Sequence, residues 1–423
     1  MKAKIYPLDK MVSEVKAPSS AFCLHLEIIC ASLAKGKSVI KNIINSKDID
    51  TTINWCSAIG AIIRKDEDRI VIRGVNNKIN FKNSLFYCES ATTAKLMIPL
   101  LCSVPQPFGV KSNCEVINQL KEFEFIYQAY GINAYFEEEI IRFEKVMDTC
   151  EVEFDGDLDI YMSAGILLAL PLLSGTSIFK LRAPKRSEKT YNTITKILKA
   201  FSVDIKHPAT MKYEVNGNQK YRKANITTEM DCLLLSHTAL LSKLLKQEES
   251  IEILNFKRNP SMDEDRLLDL IKKTATEYKN YLFSKLFKKK EYDFHKLEAN
   301  VEDSLPILMV LASLNSQDSL ISKVDFSKKR VKKQYDIMAK AFNKLSIPCS
   351  DFEREIVVNP AIVEEKRQVE SGKDPYIVIA LSYLALLSKA PIVIKNVDCV
   401  FNLYSDFFNE LKSIGAKVEF IHN

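Results

Sequence analysis

Six capping residues, Ser20, Ser90, Asp159, Asp231, Asp303 and Asp374, stand about 70 residues apart along a chain of 423 residues. Each opens an apolar run of helical length, because a short side-chain oxygen can accept the orphan backbone N–H groups of a first helical turn. Each run leads into a β-branched segment, at residues 38–43, 108–111, 177–181, 251–256, 319–324 and 392–397. A second, amphipathic helix is predicted next, over 48–59, 116–130, 191–201, 263–278, 332–345 and 404–414. Five of the six units then turn into another strand, at 60–63, 131–132, 202–203, 346–347 and 415–418. Glycine suits three of these turns by accepting positive φ, whereas serine stands at the other two, Ser202 and Ser346.

A repeat of this kind excludes a single irregular core. Six copies of helix, strand, helix and strand make an α/β protein, and three units in each of two domains is the simplest partition. The apolar helices carry too little polar surface to lie outside, so they are expected in the middle of each domain, with sheets and amphipathic helices around them. The fourth unit breaks the pattern after Tyr278, where residues 279–300 form a charged, aromatic extension containing Lys288, Lys289 and Lys290. Such a run reads as a solvated elaboration.

With 47% hydrophobic and 27% charged residues, the chain has enough apolar material for two cores and is not a disordered sequence. Its net charge of +6 suits anionic ligands without demanding nucleic acid. The ten cysteines include no CxxC pair and sit mostly in apolar runs, which reads as reduced, buried thiols. The first residues lack the apolar core of a signal peptide, and no stretch reaches eighteen uninterrupted apolar residues, so a cytoplasmic protein is expected. His25 and His237 lie in apolar runs and read as satisfied buried histidines, and no His/Cys/Asp spacing suggests zinc.

At residues 17–36 (APSSAFCLHLEIICASLAKG), 89–95 (ESATTAK), 303–312 (DSLPILMVLA) and 401–416 (FNLYSDFFNELKSIGA), the chain resembles the enolpyruvyl transferases, among them the 5-enolpyruvylshikimate-3-phosphate synthase family. The resemblance covers nearly the full length and rests on the order and spacing of these segments together. It implies an inside-out α/β barrel architecture of βαβαββ-like pseudo-repeats, three per domain. One domain would cover 20–230 and the other 1–19 with 231–423, the central helices pointing their N-termini toward a cleft between them. The implied reaction moves the enolpyruvyl group of phosphoenolpyruvate to the 5-hydroxyl of shikimate 3-phosphate, in the shikimate pathway, with no metal or organic cofactor. The expected partners are those two small anions. No membrane or nucleic acid is expected, and the protein is expected to be a monomer.

Such chemistry needs several Lys or Arg side chains to hold phosphates and carboxylates, a base for the hydroxyl proton, and fixed cations for the developing charge. By resemblance Asp303 stands at the position of the general base, and Ser20, Thr92, Lys95, Tyr191, Arg330 and Asp374 stand at substrate-binding positions. Other positions depart. Where the family has a lysine, a serine and an arginine at the first helix start, this chain has Ala21, Phe22 and Leu26, with Lys16 the nearest cation. Thr92 matches the second motif, but Lys95 replaces its arginine. An Arg-Pro pair becomes Asn118-Gln119, and a Ser-Ser-Gln phosphate grip becomes Asp159-Ile160-Tyr161, whose carboxylate repels a phosphate. Tyr191 and Thr195 match. The Lys-Glu-Ser-Asp-Arg motif becomes Arg330-Val331-Lys332-Lys333-Gln334, an Asp-His-Arg motif becomes Asp374-Pro375-Tyr376, and a late lysine becomes Asn402.

One missing preorganised donor costs about 3–4 kcal/mol, or about 10²- to 10³-fold in rate, and here several are replaced. Synthase activity is therefore expected to be weak or lost. The alternative is a non-catalytic descendant that binds an anionic ligand or a protein partner, in which Asp303 and Asp374 serve as helix caps, the basic cluster at 328–333 as a solvated helix start, and Tyr161 and Tyr191 as packing residues. Cys114 is not in a nucleophile setting. A nucleic-acid role, suggested only by the Lys-rich extension and distant fold kinship, ranks third.

Overall fold

The computed structural model describes residues 1–9, 14–16, 19–144, 146–156, 158–182, 188–231, 252–254, 296–298 and 303–421. The helices expected after Asp231 and over 263–278, His237, and Lys288 to Lys290 lie outside these residues. The chain divides into two compact units, one of residues 19–229 and the other of 1–18 with 230–423.

In the unit of 19–229 the helices are α1 (Ala21–Leu33), α2 (Lys47–Ala58), α3 (Ala91–Leu101), α4 (Cys114–Lys121), α5 (Glu124–Ala129), α6 (Ile160–Ala169) and α7 (Glu188–Ala200). Every residue of α1 is buried, and α3 and α6 are buried beyond their first turns except at Lys95. A helix that is apolar all round has nowhere else to go. Ser20, Ser90 and Asp159 cap them as expected, accepting backbone N–H groups from Cys23, Thr93, and Tyr161 with Met162.

Three four-stranded sheets belong to this unit. The second shows the plan: Leu85–Tyr87 runs parallel to Phe108–Lys111 across α3, and the chain returns through α4 and α5 to the hairpin of Ala134–Phe136 and Ile140–Phe143, which pairs antiparallel. This is a βαβαββ unit. The third sheet, Glu151–Asp155, Thr176–Arg182, Lys212–Asn216 and Lys206–Ala209, follows the same order. Along Thr176–Arg182, Ser177, Phe179 and Leu181 face the core while their neighbours do not, the alternation of a sheet with one covered face.

In the other unit the described helices are α8 (Leu305–Ser313), α9 (Lys329–Lys344), α10 (Pro375–Leu386), α11 (Val400–Leu403) and α12 (Phe407–Ser413). Again α8 is buried throughout and α10 nearly so. In its last sheet the N-terminal strand Lys2–Ile5 lies between Ile392–Lys395 and Val418–Ile421, antiparallel to both, so the first residues of the chain complete the sixth repeat. No sheet among the described residues closes into a barrel.

Two strands pair away from the repeat they precede in sequence. Glu14–Lys16, just before α1, pairs parallel with Glu252–Leu254, whereas Asn225–Thr227 pairs parallel with Lys37–Lys41. Each crossing between units thus leaves its last strand behind. Among the described residues the turns after the amphipathic helices adopt positive φ, at Gly60, Gly131 and Gly415 and equally at Ser202 (φ 66°) and Ser346 (φ 59°). The left-handed conformation disfavours a serine by about 1–2 kcal/mol, so the tight entry into the hairpin, rather than the residue, dictates the geometry.

One capping expectation is corrected. The residue at the cap of α8 is Ser304, which makes no side-chain cap bond, while Asp303 sits one position earlier with φ 67°. Leu305-Pro306 opens the helix, and proline at its start needs no N–H partner. The left-handed turn at Asp303 points its carboxylate elsewhere.

Candidate functional site

That carboxylate meets α9. Arg330 Nε donates to Asp303 Oδ1 at 2.6 Å, and Gln334 Nε2 donates to the same oxygen at 3.0 Å. Gln334 also reaches Asp374 Oδ2 at 3.2 Å. Asp374 in turn caps α10, its Oδ1 accepting from the backbone N–H groups of Tyr376 and Ile377. The guanidinium lies 5.8 Å from the centroid of the Tyr376 ring. Arg330 and Gln334 are one helical turn apart, which puts both on the face of α9 that serves the starts of α8 and α10. Gly372 admits the close approach, since a Cβ there would fall 2.3 Å from Ile337 Cδ1 of α9.

Asp303, Arg330 and Asp374 are therefore neighbours, joined by a residue whose place in the cluster the motif comparison did not indicate. Gln334 stood only for a missing arginine; its i, i+4 spacing from Arg330 was the available signal. Arg330 is half exposed. Burial works against its charge, yet Asp303 and Asp374 outweigh that and raise its pKa above the usual arginine value. Nearby, Lys332 pairs with Asp336 at 3.2 Å and Asp351 at 3.8 Å, and lies over the rings of Phe326 and Tyr335.

In the other unit, the starts of α3 and α6 form a second constellation. Lys95 Nζ lies 2.9 Å from Asp159 Oδ2, with both side chains mostly covered, and 5.1 Å from the centroid of the Phe123 ring. Asp159 uses its other oxygen to cap α6. Gly165 lets α6 lie directly against α3, because a Cβ there would fall 2.4 Å from the Lys95 carbonyl oxygen. Phe22 at the start of α1 meets Tyr161 edge to face, with centroids 5.4 Å apart. Aromatic packing fills the position where the resemblance calls for an anion anchor.

The remaining candidates are dispersed. Ser20 spends its side chain on the cap of α1, and its N–H donates to the Glu229 carbonyl at 2.8 Å. Thr92 is half-buried in the first turn of α3. Tyr191 is 0% exposed, within hydrogen-bond distance of Ser163 Oγ (3.1 Å) and stacked on Tyr213. Thr195 bonds to its own helix at Asn192. Lys16 lies in the strand Glu14–Lys16, with its side chain outside the described residues. Asn118 and Gln119 are exposed on α4, and Asn402 is on α11. Among the described residues no three His, Cys, Asp or Glu side chains gather as a metal site, and no helix is long and apolar enough to cross a membrane.

The family model for EPSP synthase (3-phosphoshikimate 1-carboxyvinyltransferase) matches residues 5–411. A 3-phosphoshikimate 1-carboxyvinyltransferase from Clostridium botulinum is 26% identical, covering 98% of this chain and 97% of its own. One from Clostridium perfringens is 24% identical over 98% of this chain and 99% of its own. Among solved structures, EPSP synthase from Acinetobacter baumannii matches with a TM-score of 0.78 at 15% identity, covering 99% of this chain and 100% of that one. The enolpyruvyl transferase NikO from Streptomyces tendae matches with a TM-score of 0.79 at 14% identity, covering 99% and 98%. The two structures share the α/β fold of this chain.

Proposed function

This chain belongs to the EPSP synthase family, and we propose that within it the chain is a 3-phosphoshikimate 1-carboxyvinyltransferase-like protein whose transfer of enolpyruvyl from phosphoenolpyruvate to shikimate 3-phosphate is weak or lost. The reading rests on one observation above the others: the cluster of Asp303, Arg330, Gln334 and Asp374. A general base at Asp303 must present a lone pair to the acceptor hydroxyl, and Oδ1 has two donors on it already. Proton abstraction at that atom requires Arg330 or Gln334 to move. Arg330, the guanidinium available there for a phosphate or carboxylate, stands between the fields of two aspartates, so its charge is partly offset before an anion arrives. Family ancestry thus supports the reaction type, and the internal pairing supports a low rate. The reaction, where it occurs, is expected in the cytoplasm and from a monomer.

A phosphate-release assay with phosphoenolpyruvate and shikimate 3-phosphate, repeated on Asp303→Ala, tests the proposal. Slow turnover abolished by the substitution is the expected result. The second reading, a non-catalytic protein that binds an anionic ligand or a protein partner, is favoured by the Lys95–Asp159 pair, which neutralises the cation retained in the second motif. It gains if neither turnover nor calorimetric binding of either substrate is found.

A further inference from the structure

We propose that His25 is a positioning residue for the first turn of α3, held as the neutral Nδ1–H tautomer by a one-way chain of hydrogen bonds through Thr52 and Thr93. The three side chains come from α1, α2 and α3 and are 1%, 0% and 0% exposed. His25 Nδ1 lies 2.8 Å from Thr52 Oγ1, which lies 2.7 Å from Thr93 Oγ1, which donates to the Asp48 carbonyl at 3.2 Å.

A hydroxyl has one proton to give and two lone pairs to receive with. The Thr93 proton goes to a carbonyl, which can only accept. Thr93 Oγ1 must therefore receive from Thr52, and Thr52, its proton spent, must receive from His25. Only a protonated Nδ1 can supply that bond. In the reverse order Thr93 would give its proton to Thr52 and Thr52 would give its own to His25, and the Asp48 carbonyl would lose the Thr93 donor. Burial also pushes the His25 pKa down to about 3, so the ring is neutral at neutral pH.

The chain ends where it is needed. Thr93 is the third residue of α3, and its own N–H is held by the capping Ser90 at 3.1 Å. The same turn carries Thr92, and Lys95 follows it. His25 thus fastens the first turn of α3 to α1 and α2. This inference goes beyond the proposed function and holds whether or not the protein turns over.

Nitrogen NMR of histidine-labelled protein, with the His25 signals assigned through His25→Asn, tests the tautomer. Wild type is expected to show a protonated Nδ1 and a bare Nε2. Thr93→Val removes the acceptor at the far end without touching the imidazole; the Thr52 hydroxyl is then free to donate to Nδ1, and the ring is expected to shift toward the Nε2–H form. An Nε2–H ring in wild type, or a tautomer indifferent to Thr93→Val, would overturn the proposal. Should that variant not fold, the wild-type spectrum still decides. Hydrogen exchange tests the positioning. In His25→Leu the amides of 93–95 should exchange roughly fivefold faster than in His25→Asn, whose side-chain N–H can replace Nδ1–H. Equal rates in the two variants would defeat the positioning role.

Discussion

Lys95 and Asp159, 64 positions apart in sequence, form an ion pair of 2.9 Å in which the lysine is 15% and the aspartate 27% exposed. A carboxylate of the protein's own occupies the place between a lysine and a helix N-terminus where an anionic ligand would find both.

Asp159→Ser should accordingly release the lysine while keeping a competent cap. Calorimetry with shikimate 3-phosphate is expected to show binding at least about tenfold tighter than wild type, a difference of about 1.4 kcal/mol. Adding Lys95→Met should cancel the gain. Equal affinities in wild type and Asp159→Ser would mean that the pair does not govern anion access.

Asp303→Ala tests chemistry against structure. The partner guanidinium is half exposed, and pairs of this kind contribute about 0–1 kcal/mol. Alanine at φ 67° adds about 1–2 kcal/mol of backbone cost, so urea unfolding should place the variant within about 3 kcal/mol of wild type while any turnover disappears. A large loss of stability with turnover retained would make Asp303 a structural residue.

Glu27, buried in α1, accepts a hydrogen bond from Thr228 Oγ1 at 2.6 Å. Burial, opposed by that bond and helped by Glu229, raises its pKa to about 8. Below the unfolded value of 4.5 both states carry the proton, and the folded state has no handicap. Between 4.5 and about 8 only the folded state retains it, so stability falls as pH rises through that window. Glu27→Gln, which keeps an acceptor for Thr228, should remove the slope. At pH 7 it should be the more stable protein by up to about 3 kcal/mol, from about 1.4 kcal/mol per pH unit. Parallel pH–stability curves for the two proteins would refute this.

Gly165→Ala should be destabilising even though alanine is the better helix former. The added carbon meets the Lys95 carbonyl oxygen at 2.4 Å and the Leu96 carbonyl oxygen at 2.8 Å, both backbone atoms that cannot rotate away. Overpacking of this kind costs about 1–3 kcal/mol, well beyond the gain in propensity. A melting temperature equal to or above that of wild type would show that α3 and α6 can separate freely.

The central helices were legible because their composition leaves no choice. Residues 377–387 carry no polar face, and the helix found there, Pro375–Leu386, is buried almost throughout. Amphipathic segments were legible in position and less so in continuity. The helix expected over 116–130 is broken between Lys121 and Glu124, where the Phe123 N–H turns back to Leu120 and its ring lies beneath Lys95. Nothing in the local pattern marks that break, since it answers to a side chain in the preceding helix. Strand partners were equally hidden: Glu14–Lys16 and Asn225–Thr227 have ordinary strand sequences, and pairing is a long-range choice.

The residue types at the helix mouths are properties of the sequence alone, which determined that a carboxylate stands at 159, 303 and 374 and a cation at 95 and 330. Which of these groups meet was decided by tertiary structure. Asp303 was read as a cap, yet the left-handed turn at φ 67° hands its carboxylate to Arg330 on another helix. Lys95 was read as a retained cation, yet a glycine in α6 brings Asp159 within 2.9 Å of it. Charge is written in the residues one by one, but neutralisation depends on distances of a few ångströms between segments dozens of residues apart, and only the packed helices set those.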